Sequence, residues 1–202
     1  MIDAVLMDWE GILVETADAR RDALRLALRD EGVEEGTARD DPTLVELLAL
    51  RARRNFAERI GKGFTLVEGG REFIESAHGR SRLAIVTGAT RAESEFVLRL
   101  AGIEGAIATL VSGDDLPLSS RADLYLAAIA QLGRIKPIRR EQVLVLASTA
   151  VEIAAAHSLG VQTVAIHAPA HVAMEADAAV ESLRCLTIDD LARLAERTEQ
   201  RT

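Results

Sequence analysis

The run AVLMDWEGILVET, residues 4–16, delivers two carboxylates, Asp8 and Glu10, to the end of an apolar segment, one residue apart and followed by Gly11. Carboxylates so placed can attack as nucleophiles, move protons or ligate a hard cation. A buried carboxylate at a strand end can equally serve the fold by accepting loop amides. Two further polar segments follow apolar runs: Thr87 to Ala89 after RLAIVT, and Ala147 to Thr149 after QVLVLA. Lysine occurs only at Lys62 and Lys136, whereas arginine is abundant, which bears on what can supply positive charge. His167 and His171 stand four apart, but Pro169 between them argues for a loop and no third ligand accompanies them. Cys185 is the sole cysteine, which excludes an internal disulfide and the cysteine-rich metal motifs and reads as a buried, inert thiol.

Alternating strand and helix signals must position these groups. The runs IDAVLM (2–7), RLAIVT (82–87), IATLV (107–111), QVLVLA (142–147) and VQTVAI (161–166) are short, apolar and rich in β-branched residues. They are apolar throughout rather than alternating, the signature of a sheet covered on both faces. Helical patterns separate them, several closed by glycine. The expected fold is α/β, a doubly wound parallel sheet. Residues 15–67 break the rhythm with helical patterns alone, so a small helical insertion after the first strand is expected there. The α/β core then comprises 1–14 and 68–202, and EEGTARDDP (34–42) is the turn between the inserted helices. In such a sheet the loops after Met7, Val86 and Leu146 converge at the carboxyl ends of the strands.

Composition narrows the function. A net charge of −8 argues against nucleic-acid binding, and the basic run RARR (51–54) reads as a solvated helix face. No apolar run is long enough to span a bilayer, and Met1 leads straight into a strand-like segment without a basic flank or cleavage site. A cytoplasmic location is the expectation.

The chain resembles the haloacid dehalogenase (HAD) superfamily, particularly its small phosphatases and phosphoglucomutase-like members with a helical cap. DWEGILVET is similar to the family's first motif, DxDGT. LAIVTGATRAESEFVLRLAGI resembles its second, VSGDD and ADLYLAAIAQLG the segments flanking its third, and EIAAAHSLGVQTVAI the helix and strand after its fourth. The resemblance implies that Asp8 attacks phosphorus to form an aspartyl-phosphate and that Glu10 is the acid/base. It further implies that Thr87 and Gly88 take phosphate oxygens and that Asp8 and Glu10 hold Mg²⁺. The substrate it implies is a small phosphorylated metabolite.

The motifs also depart from the family pattern. Glu10 and Ile12 replace an aspartate and a threonine, and the third-motif lysine falls on Ser119 or Ser120, with Arg121 beside them as a replacement phosphate-binding charge or an ordinary first-turn residue. The fourth-motif acids fall on Ala147 and Ser148, so Mg²⁺ binding is expected to be weak and phosphatase activity impaired. Three alternatives stay open: a catalytically inactive binding or regulatory protein, a metal-independent HAD hydrolase, and an enzyme like phosphonoacetaldehyde hydrolase. Trp9 after Asp8 suggests the last, which requires a cap lysine, for which Lys62 is the candidate.

Overall fold

The computed structural model describes residues 2–37, 41–116, 118–184 and 186–199, with side chains as far as Leu194. Cys185 and part of the turn expected over 34–42 lie outside the described residues. In chain order the elements are β1 (Ala4–Met7), β2 (Val14–Glu15), α1 (Ala17–Asp30), α2 (Pro42–Gly61), β3 (Thr65–Leu66), α3 (Gly70–Ala77), β4 (Arg82–Val86) and α4 (Arg91–Ala101). They continue with β5 (Ile107–Val111), α5 (Arg121–Ile135), β6 (Val143–Ala147), α6 (Ala150–Ser158), β7 (Gln162–Ile166), α7 (Ala170–Ala173), β8 (Ala178–Val180) and α8 (Ile188–Glu199).

Two compact units result: Met1–Val14 with Leu66–Thr202, and Glu15–Thr65. In the first, six strands form one parallel sheet in the order β5-β4-β1-β6-β7-β8. The order runs outward in both directions from β1, so the switch point lies beside that strand and Asp8 follows it directly. Successive side chains of a strand point to opposite faces, and Ala4, Val5, Leu6 and Met7 are all fully buried, so both faces are covered. Ala4 and Leu6 share a core with Tyr125, Ala128 and Leu132 of α5 and Ile153 and Ala156 of α6. Strand β5 has the expected apolar sequence but lies at the sheet edge, which leaves Ala108 exposed.

In the second unit α1 and α2 pack along each other around Ala27, Leu28 and Leu48. Asp41 caps α2 by accepting from the Thr43 and Leu44 amides at 3.0 and 3.1 Å, with Pro42 in the first turn, where its missing N–H costs nothing. The basic run is laid along a helix face: Arg51 pairs with Glu31, and Arg54 with Glu58 at 3.0 Å.

Two elements differ from the sequence reading. Strands β2 and β3 pair as a short ribbon where the chain passes between units, and at two residues each they are too short to leave a periodic signal. The loop expected around His171 contains the single-turn α7, with Pro169 at its N-cap, because proline breaks a helix it follows but suits one it precedes. No described helix is long and apolar enough to cross a membrane.

Candidate active site

The crevice at the carboxyl end of the sheet is built from the ends of β1, β4 and β6 and the first turns of α5 and α6. Asp8 is 7% exposed. Its Oδ1 accepts the Glu10 amide at 3.2 Å, a tight loop made possible by Gly11, whose φ of +76° strains any other residue. Behind it, the Leu13 and Val14 amides both donate to the Trp9 carbonyl, which closes the turn. Glu10 is half-buried and Gly11 exposed. Trp9 does not line the crevice: it is fully buried, and its indole N–H donates to Ser94 Oγ of α4 at 3.1 Å.

Thr87 continues from β4, and its amide donates to the Val111 carbonyl at 3.0 Å. Its hydroxyl accepts the Ala89 amide at 3.2 Å. Gly88 has open space where a side chain would stand, but Gly113 packs so closely against it that a Cβ at 113 would lie 2.6 Å from the Gly88 carbonyl oxygen. The third loop also arrives here, since a Cβ at Gly11 would stand 3.2 Å from Ser148 Oγ. Asp8, Thr87 and Ser148 are therefore brought to one place by three different strands.

Arg121 is not an ordinary first-turn surface residue. Ser120 caps α5 in a reciprocal box with Asp123, which directs Arg121 back across the sheet end. Its Nη1 donates to the Val86 carbonyl at 2.9 Å, and Nη1 and Nη2 both reach Asp8 Oδ2 at 3.3 Å. Ser119 lies in the preceding turn, its hydroxyl donating to the Leu116 carbonyl at 2.6 Å. Neither serine contributes charge, and the guanidinium does.

Glu152 was not among the residues singled out from the sequence. It is 3% exposed, and its Oε1 lies 3.9 Å from Arg121 Nη2. Its Oε2 accepts from the Ser148 amide at 2.9 Å, the Thr149 amide at 3.0 Å and the Thr149 hydroxyl at 2.9 Å. The pattern Thr149-x-x-Glu152 before an apolar helix is a capping box and marks where α6 begins. It gives no notice that the second oxygen will face Arg121 at the start of α5.

Burial raises the Asp8 carboxyl from its ordinary 3.8 to about 6; Arg121, the Glu10 amide and the Thr87 hydroxyl oppose the rise, and the charge of Glu152 adds to it. Tyr125, nearly fully buried in α5, has its phenol pushed well up by burial first and then by Glu152, so it remains neutral.

Mg²⁺ takes oxygen ligands in near-octahedral array and keeps at least one or two carboxylates. Among the described residues no group of three His, Cys, Asp or Glu is arranged to hold a metal ion. Ala147 and Ser148 bring no carboxylate, Asp8 Oδ2 faces Arg121, and Glu152 Oε2 is saturated by the α6 cap. A divalent ion about 4 Å from a guanidinium meets repulsion of roughly 8 kcal/mol at an effective dielectric near 20. With Arg121 in place, the residues present do not fit a divalent cation. Lys62 is exposed at the end of α2.

Comparison with known proteins is consistent with this architecture. A sequence profile of haloacid dehalogenase-like hydrolases matches residues 40–166. Similar solved structures include CbbY from Rhodobacter sphaeroides in complex with phosphate, at 19% identity and TM-score 0.80, covering 95% of this chain and 100% of that one. A mutant CbbY in complex with xylulose-(1,5)bisphosphate scores the same 0.80 at 20% identity. The β-phosphoglucomutase of Clostridium difficile gives 0.81 at 12% identity, covering 99% and 100% of the two chains. YfnB of Bacillus subtilis, a putative HAD-hydrolase bound to magnesium, gives 0.71 at 16% identity, covering 96% and 99%. At these identities the likeness establishes the fold. No curated protein sequence matches the chain.

Proposed function

The chain belongs to the haloacid dehalogenase-like hydrolases, and on that premise we propose that it hydrolyses a small phosphorylated metabolite slowly, through an aspartyl-phosphate on Asp8. The observation that carries this reading is the Arg121 guanidinium held against the Asp8 carboxylate at the sheet switch point, beside the Thr87 hydroxyl. The phosphate and bisphosphate complexes of CbbY support the ligand class.

Asp8 attacks phosphorus while Glu10 protonates the departing alkoxide. Glu10 then takes a proton from the water that attacks the aspartyl-phosphate, releasing phosphate and regenerating Asp8. Arg121, the Thr87 hydroxyl and the Gly88 amide meet the equatorial oxygens, where donors in comparable oxyanion sites contribute roughly 3–4 kcal/mol each. Divalent metal, typical of the family and present in YfnB, supplies electrophilic charge to this chemistry where it binds. Here the charge comes from one guanidinium, so turnover is slow.

A binding role without turnover is the second reading, favoured by Arg121 covering the Asp8 oxygen that would attack. Hydrolysis of a chromogenic phosphate monoester, with Asp8→Asn as the blank, separates the two. Slow release abolished in Asp8→Asn supports the hydrolase; release equal in both proteins rejects it in favour of binding.

A further inference from the structure

Glu152 takes no part in the steps above, yet like Asp8 it is a buried carboxylate among the described residues. Its Oε2 is held by the α6 cap, which orients Oε1 toward Arg121. On the other side of the same guanidinium stands Asp8, itself fixed by the Glu10 amide. Arg121 Nη2 is thus flanked by two buried carboxylates, at 3.3 Å and 3.9 Å, while Nη1 is tied to the Val86 carbonyl.

We infer that Arg121 is the resident cation of this site: it occupies the place between Asp8 and Glu152 where a divalent metal would otherwise sit, so the crevice works without Mg²⁺. The inference deepens the phosphoryl-transfer reading by naming the charge that site uses. Three observations lead to it. The two carboxylates come from separate elements, the loop after β1 and the first turn of α6, and meet at one cation, which is what a metal site does. The cation is tethered by its own helix and a backbone carbonyl, so a free ion must displace a covalently attached competitor. The positions that resemblance assigns to metal-holding acids, Ala147 and Ser148, carry none, whereas Glu152, one helical turn later, points its free oxygen at the guanidinium.

A consequence distinguishes this from a weak or damaged metal site. Removing the guanidinium leaves two buried, preoriented carboxylates with no cation between them, and this pair should acquire affinity for a divalent ion. Glu152 acts through the cation that it faces, so its contribution is read in metal binding and not in folding alone.

The test is calorimetric and spectroscopic titration of the full chain with Mg²⁺ and with Mn²⁺ as a paramagnetic probe, with no substrate present. Wild type should show no Asp8-dependent uptake up to ~10 mM. Arg121→Met should bind Mn²⁺ at least tenfold more tightly than wild type, and Arg121→Met/Glu152→Gln should lose that gain. Saturable Mg²⁺ binding to wild type that disappears in Asp8→Asn overturns the inference, as does a folded Arg121→Met that gains no affinity. If Arg121→Met does not fold, the wild-type and Asp8→Asn titrations still decide the matter. None of these readings depends on turnover, so absence of phosphatase activity would reject the proposed reaction and leave this result intact.

Discussion

Both terminal nitrogens of Arg121 lie 3.3 Å from a single oxygen of Asp8, Oδ2, while the other carboxylate oxygen accepts the Glu10 amide. The guanidinium therefore approaches from one side and does not form the parallel fork that bridges both oxygens of an acid. Such a contact neutralises the carboxylate without fully consuming its lone pairs. It also couples the charge of the site to the start of α5.

The first expectation concerns pH. Asp8 is ionised only above about 6, so a nucleophilic role gives turnover that rises tenfold per pH unit below that value and levels above pH 7. Because the folded carboxyl sits above its unfolded value of 3.8, the stability it contributes is complete below 3.8 and is lost as pH rises through about 6. The loss is roughly 3 kcal/mol. Urea unfolding of wild type and Asp8→Asn at several pH values should show wild type losing ground to the variant by this order between pH 4 and 7.5.

Replacing the guanidinium should be costly in kind as well as degree. Arg121→Met should lower kcat/KM for a phosphate monoester by about 10²–10³-fold, the scale of one oxyanion donor. Arg121→Lys should recover only part, since an ammonium cannot serve the Val86 carbonyl and Asp8 with fixed planar donors. Full activity in Arg121→Met would show that the charge is supplied elsewhere.

Glu152 also supports the fold. Glu152→Ala removes the acceptor for the Ser148 and Thr149 amides at the α6 start and should cost about 1–2 kcal/mol by urea unfolding. Glu152→Gln keeps one acceptor and should cost less.

Two glycines in neighbouring loops should behave oppositely. Gly113→Ala places a methyl 2.6 Å from the Gly88 carbonyl oxygen, a backbone atom with little room to yield, and should cost about 1–3 kcal/mol in thermal unfolding. Gly88→Ala meets nothing within 4 Å and should leave stability nearly unchanged, while obstructing the crevice where phosphate is expected to lie. A KM rise without a stability change would separate the two roles.

The sheet was legible because burial on both faces leaves apolar runs that need no periodic analysis, and β1, β4, β6 and β7 all carry them. The site was legible as far as strand ends go: Asp8 and Thr87 follow such runs directly. What sequence could not carry was the reach of long side chains. Arg121 reads as a first-turn residue, and nothing local says that its guanidinium returns across the sheet end to Asp8. Glu152 went unread, and even as the acid of a capping box it would give only one carboxylate oxygen a place, leaving the direction of the other to the fold.

The place of β1 in the sheet has a consequence for the order in which the protein can be made. Ala4 to Met7 pair on one side with residues 82–85 of β4 and on the other with residues 143–146 of β6. Strand β1 precedes both of its neighbours in the chain, so it has no partner until β4 emerges and remains open along one edge until β6 follows. An apolar strand with an unpaired edge is a template for wrong partners, and such distant pairings form slowly. Chains cut short before Val143 should therefore be insoluble rather than partly active. The Asp8 carboxyl thus gains its surroundings late: β4 and Arg121 of α5 must follow it out, and β6 must close the second edge.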